Sequence, residues 1–147
     1  MPGLRLTFHP AATGPRVLVP LATDAVKAGF PSPSENYLAP EIDLNDLLIQ
    51  HREATFYVRI SGDSMTDAGI LDGDLAVVDK SLAAKDGDIV IAFVNGEFTI
   101  KQFRIDKNRT RGWLVPWNDR YPRIEVNADD DFRIWGVVTH VIHSLRH

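Results

Sequence analysis

The sequence predicts a mainly β protein: curled antiparallel sheets or a partial barrel, with one short helix and an extended N-terminal arm. Three observations carry that expectation. Pro2, Pro10, Pro15, Pro20, Pro31, Pro33 and Pro40, seven of the nine prolines, crowd the first forty residues. One short stretch after them has helical spacing. Beyond it, runs of β-branched and aromatic residues alternate with turn signals to the end of the chain.

Proline fixes φ and lacks a backbone donor, so residues 1–40 cannot supply central strands or a long helix. They are expected to form an arm with short edge-strand pieces, preceding a β domain at residues 41–147. In "DLNDLLIQH", residues 43–51, Asp43 fits an N-cap, and Leu44, Leu47 and Leu48 fall at i, i+3 and i+4 on one apolar stripe. The run "TFYVRI" alternates, with Phe56, Val58 and Ile60 on one face and Tyr57 and Arg59 on the other. "DGDLAVVD" and "DGDIVIAFV" each begin at an Asp-Gly turn, and "FVNGEF" sets Asn95-Gly96 between two strands as a two-residue hairpin. "EFTIKQFRI", "GWLVPW", "RIEV" and "FRIWGVVTHVI" supply the remaining strands.

Composition narrows the function classes. The 147 residues are 44% hydrophobic, enough for a real core. The chain has no cysteine, which excludes disulfides, thiolate metal sites and a cysteine nucleophile. No apolar run approaches the ~20 residues needed to cross a bilayer, and the proline-broken start is a poor secretory signal. Cytoplasmic residence is expected. The formal charge of -4 gives no electrostatic basis for direct DNA binding. Trp113, Trp117 and Trp135 therefore fit core or dimer packing better than base stacking. His9, His51, His140, His143 and His147 lack a carboxylate-rich ligand pattern, and "ADDD" at 128–131 fits a solvated turn, so no metal is expected. Nothing resembles a phosphate or dinucleotide loop, and no cofactor is expected.

Two residues stand out chemically. Ser64, in "SGDSM", follows a strand and lies among turn formers. Lys101 sits in mid-strand within "EFTIKQFRI", both of whose faces are largely apolar. Its stem either snorkels and carries the charge to water, or the amine is desolvated, loses its proton near neutrality and becomes a base. A neutral lysine is one of the few side chains that activate a serine hydroxyl without histidine. The amides of Asp63, Ser64 and Met65 are all candidates for holding a developing oxyanion.

"SGDSM", "GDLAVVD", "GDIVIAFVNGEFTIKQF" and the closing "WGVVTHVI" resemble the Ser–Lys self-cleaving family of LexA repressors and UmuD proteins. The upstream run "GFPSPSENYLAPEIDLNDLLIQHREATFYVRISGDSM" is similar to the UmuD branch, and the likeness extends from about residue 20 to the end. It implies a domain like the C-terminal domain of LexA, with Ser64 as nucleophile, Lys101 as general base and the self-cleaved bond at Ala28–Gly29. Some members carry cysteine where this chain has Ala28; both are small enough for a shallow pocket. The resemblance further implies a homodimer whose cutting is stimulated by RecA filaments on single-stranded DNA. The truncated form would then serve a UmuC-like Y-family polymerase in error-prone translesion synthesis. The alternatives are a LexA-type repressor, for which the arm before Ala28 is too short to hold a helix-turn-helix, and a non-catalytic polymerase-docking module.

Overall fold

The computed structural model describes residues 8–10, 16–21, 39–127 and 130–146. By its internal contacts the chain divides into two compact units, Ala12–Gln50 and Met1–Ala11 with His51–His147.

The larger unit is an open eight-stranded sheet. Its strands are β1 (Phe8–Pro10), β4 (Thr55–Arg59), β5 (Leu75–Asp79), β6 (Ile89–Val94), β7 (Glu97–Ile105), β8 (Gly112–Val115), β9 (Ile124–Val126) and β10 (Phe132–Ile142). They lie in the order β1-β4-β5-β10-β6-β7-β8-β9, and every neighbouring pair is antiparallel. The mainly β expectation holds; the sheet is not a closed barrel. Asn95 (φ 50) and Gly96 (φ 87) both adopt the left-handed region, which is the backbone a two-residue primed turn requires between β6 and β7. In β4 Val58 is buried while Arg59 is exposed, and Ile60 just past the strand is buried, as the alternation predicts.

The sheet is buried on both faces. One apolar cluster gathers Val58, Ile60, Met65, Ile70, Ala76, Val78, Ile91 and Ile100. The other gathers Val90, Ala92, Phe103, Leu114, Val126 and Val137. β10 is the longest and most central strand, bonded to β5 on one side and β6 on the other. Its register shifts between Ile134 and Gly136 and again between Val138 and His140. Gly136 answers a close approach: a Cβ there would lie 2.6 Å from Val78 Cγ1.

The smaller unit pairs β2 (Val19–Leu21) with β3 (Ala39–Ile42) and continues into α1 (Leu44–Leu48). Asp43 caps α1 as predicted, its Oδ1 accepting the Asn45 N–H at 2.9 Å while Oδ2 accepts the Val17 N–H at 3.2 Å. The helix is shorter than its spacing suggests. It ends before β-branched Ile49, whose extended backbone closes the last turn through its N–H to Asn45 O. Within the unit, Leu44 and Leu47 remain more than half exposed.

Candidate active site

Ile60 follows the β4–β5 ladder, donating to Asp74 O at 2.8 Å and accepting from Gly73 N at 2.8 Å. The chain then turns through Gly62, whose φ of 107° is closed to most side chains and whose N–H donates to Asp72 Oδ1 at 2.8 Å. Met65 is only 1% exposed and plugs this turn into the core. Its carbonyl accepts from the Ala68 and Ile70 amides, so the turn that carries Ser64 is fixed from beneath. Ser64, half-buried, is thereby held beside an apolar anchor.

A second segment clamps the same turn from the far end of the sheet. After β8, the Trp117 N–H donates to Ser64 O at 2.8 Å, and Trp117 O accepts from Asp67 N at 2.8 Å. Asn118 Nδ2 donates to Asp63 O at 2.8 Å, and the Tyr121 hydroxyl donates to Asp63 Oδ1 in a short bond. That bond raises the Tyr121 pKa, because a neighbouring carboxylate favours the protonated phenol. Trp117 is itself held by its indole N–H on Gln102 Oε1 at 3.1 Å.

Lys101 comes from β7, opposite Val90 in register. Its residue is 5% exposed, so the snorkelling alternative does not apply. Nζ donates to Ser64 Oγ at 3.0 Å, Thr99 Oγ1 at 2.7 Å and Ile100 O at 3.0 Å. None of these is a carboxylate. Burial therefore acts without a compensating negative charge and lowers the Lys101 pKa from the ordinary 10.5 to about 8. As an ammonium the group spends its three N–H bonds on those three oxygens. As a neutral amine it keeps two, enough for Thr99 and Ile100, and its lone pair is left facing the Ser64 hydroxyl.

The fold thus brings Ser64 and Lys101 together across a long separation in the chain. Ala28 and Gly29 lie outside the described residues. Four contributors escaped the sequence reading. Thr99 was legible in principle, since it stands two residues before Lys101 on the same strand face. Trp117, Asn118 and Tyr121 act through a loop whose position no local pattern encodes. Two histidines also have partners: His51 Nδ1 lies 2.6 Å from Asp79 Oδ2, and His143 Nδ1 lies 2.6 Å from Asp74 Oδ1. Both aspartates are buried and also accept backbone amides, from Ser81 and Leu71 respectively, which fits them for tying loops to the ends of β5. Among the described residues no cluster of three or more His, Asp or Glu is arranged to hold a metal ion.

Residues 20–139 match the Peptidase S24-like family. The chain belongs to that family. It is 46% identical over 127 residues to protein ImpA of Salmonella typhimurium, covering 86% of this chain and 85% of ImpA. It is 42% identical over 123 residues to protein MucA of Escherichia coli, covering 83% and 82%. A LexA repressor from Oleidesulfovibrio alaskensis is 37% identical over 136 residues, covering 92% of this chain and 64% of the repressor. The chain is a UmuD-like S24 peptidase, a self-cleaving serine hydrolase of the SOS response that works through a Ser–Lys pair.

Proposed function

We propose that Ser64 and Lys101 are that pair and that the bond they cut is Ala28–Gly29, carried on an arm of residues 1–40 ahead of a β domain of residues 41–147. The observation that supports this most is the 3.0 Å approach of a buried, carboxylate-free Lys101 Nζ to Ser64 Oγ. Neutral Lys101 takes the hydroxyl proton as Oγ attacks the Ala28 carbonyl carbon. The resulting oxyanion needs donors, and the amides of Asp63, Ser64 and Met65 donate to no acceptor among the described residues. Collapse breaks the C–N bond, and the Lys101 ammonium returns its proton to the leaving Gly29 nitrogen. Water then adds to the Ser64 ester, gives a proton to Lys101, and releases Ala28 as a carboxylate and Ser64 as the free hydroxyl. Because the substrate is part of the chain, tethering replaces peptide affinity. The segment between Gly29 and Ser64 spans up to roughly 115 Å when extended, so reach is no obstacle.

The wider role follows the UmuD-like kinship. The chain acts as a homodimer, RecA–single-stranded DNA filaments stimulate its cutting, and the shortened form is an accessory subunit of a UmuC-like Y-family translesion polymerase. It works in the cytoplasm without binding DNA directly; among the described residues no helix is long and apolar enough to cross a membrane. The test is incubation of the purified chain near pH 10 with no activator, followed by mass spectrometry. A product beginning at Gly29 is expected, and Ser64→Ala and Lys101→Ala should each abolish it while leaving the circular dichroism unchanged. An intact wild-type chain would favour a non-catalytic docking module, and cutting that persists in either variant would remove the assignment of the pair.

A further inference from the structure

The strand at one border of the large sheet belongs to the arm. Among the described residues β1 pairs only with β4, in the register Phe8↔Val58, His9↔Tyr57 and Pro10↔Phe56. The inner side of β4 is already committed to β5. Ile60 N donates to Asp74 O and Lys80 N donates to Ala54 O, so the even-numbered residues of β4 aim their backbone groups at β5. Strand alternation then aims the N–H and C=O of Tyr57 outward, at His9. Pro10 stands opposite Phe56, at a position facing away from β4's outer bonds, where its missing N–H forfeits nothing. β1 therefore covers an edge that would otherwise display free donors and acceptors beside the fully buried Val58.

We propose that β1 is a removable cap, and that cutting the arm opens the β4 edge to an antiparallel strand from a partner protein. This rests on the cleavage reading above, although any cut between Pro10 and β4 has the same consequence. While the chain is whole, the tether holds β1 at an effective concentration in the millimolar range. Once residues 1–28 are detached, the described contacts of the segment are the three β1–β4 pairs and, in the smaller unit, the three β2–β3 pairs with the Val17–Asp43 and Arg16–Asp46 bonds, and strands so short are lost to dilution. An uncovered edge next to a buried apolar layer is a template for strand addition. The occupant that β1 itself exemplifies is an extended segment running antiparallel to β4, apolar opposite Val58 and Phe56 and polar opposite Tyr57. The same cut separates β2 from β3 in the chain, because Ala28–Gly29 falls between Leu21 and Ala39. Self-cleavage would then act as a switch on strand pairing as well as on length.

The experiment uses the full chain bearing Ser64→Ala, with the recognition sequence of a site-specific protease substituted within residues 22–28. The arm is then cut whether or not Ser64 and Lys101 are catalytic. Amide hydrogen exchange is followed by NMR before and after cutting, with mass spectrometry confirming the cut. Exchange at Tyr57 should accelerate by at least about a hundredfold, while Phe56 and Val58, bonded toward β5, stay protected. Unchanged protection at Tyr57 would overturn the cap, and so would loss at all three amides, which would make β1 a structural strand. Adding a synthetic LRLTFHPAA peptide, residues 4–12, at millimolar concentration should restore Tyr57 protection where a scrambled peptide does not. Failure of that restoration would overturn strand addition at this edge. A negative result in the self-cleavage test leaves all of these readouts intact, so the two ideas fail separately.

Discussion

Shifting the pH from about 9 to about 6 should slow unstimulated self-cleavage by about a hundredfold, because the reaction draws on the neutral fraction of Lys101. With its pKa lowered to about 8, roughly a tenth of the lysines are uncharged at pH 7. At the ordinary 10.5 that fraction would be roughly one in three thousand, so burial raises the competent population about 300-fold. The assay is the initial rate of appearance of the fragment beginning at Gly29, sampled by mass spectrometry from about pH 6 to about pH 10.5. Log rate should climb with unit slope to about pH 8 and then level. The Tyr121–Asp63 clamp adds no second inflection in this window, because its phenol pKa is raised above the ordinary 10. A slope that continues unbroken beyond pH 10 would refute the argument, since it would mean the amine at position 101 is solvated.

Three other perturbations separate the roles of the neighbours. Thr99→Val removes the oxygen 2.7 Å from Lys101 Nζ; losing an acceptor disfavours the ammonium, so the inflection should move to lower pH. The plateau should also fall by roughly ten- to a hundredfold as the amine loses its aim, and both changes are read from the same rate profile. Asn118→Ala releases the carbonyl of Asp63 and should lower the plateau without moving the inflection, distinguishing a hold on Ser64 from a hold on Lys101. Gly136→Ala places a methyl 2.6 Å from Val78 Cγ1 between β10 and β5, and urea titration should show a loss of about 1–3 kcal/mol.

The local signals read best from sequence. The Asn95-Gly96 hairpin, the alternation of β4 and the Asp43 cap each depend on a few adjacent residues, and each appears where the pattern puts it. The pairing of Ser64 with Lys101 is legible only where motif likeness meets the anomaly of a lysine in an apolar strand. What was hidden is what distance decides. Nothing near "FRIWGVVTHVI" announces that β10 inserts between β5 and β6, or that Gly136 exists to admit Val78. From sequence Trp117 reads as a core or dimer-packing residue, yet its backbone supplies a donor to Ser64 O. The helix fell short because i, i+3, i+4 spacing fixes a face and not an end, and the stripe on Leu44 and Leu47 stays uncovered within its unit.

Burying a lysine at position 101 costs the fold stability near neutral pH, and that cost has a measurable sign. Below about pH 8 both folded and unfolded chains hold the Lys101 proton, and the full cost of burying the ammonium stands. Between about 8 and 10.5 only the unfolded chain holds it, so the folded state gains as pH rises, by roughly 3 kcal/mol over the interval. Lys101→Met keeps the length of the side chain and abolishes that titration. In a Ser64→Ala background, which prevents cutting, the unfolding free energy of the Lys101 chain should rise relative to the Lys101→Met chain between pH 7 and about pH 10.5. Below pH 8 the methionine variant should be the more stable, by an amount reduced by whatever Thr99 Oγ1 and Ile100 O lose when their donor goes. Parallel stability curves for the two chains would mean that Lys101 carries its ordinary pKa in the fold. The lowered pKa would then have to be sought in a rearranged, activator-bound state.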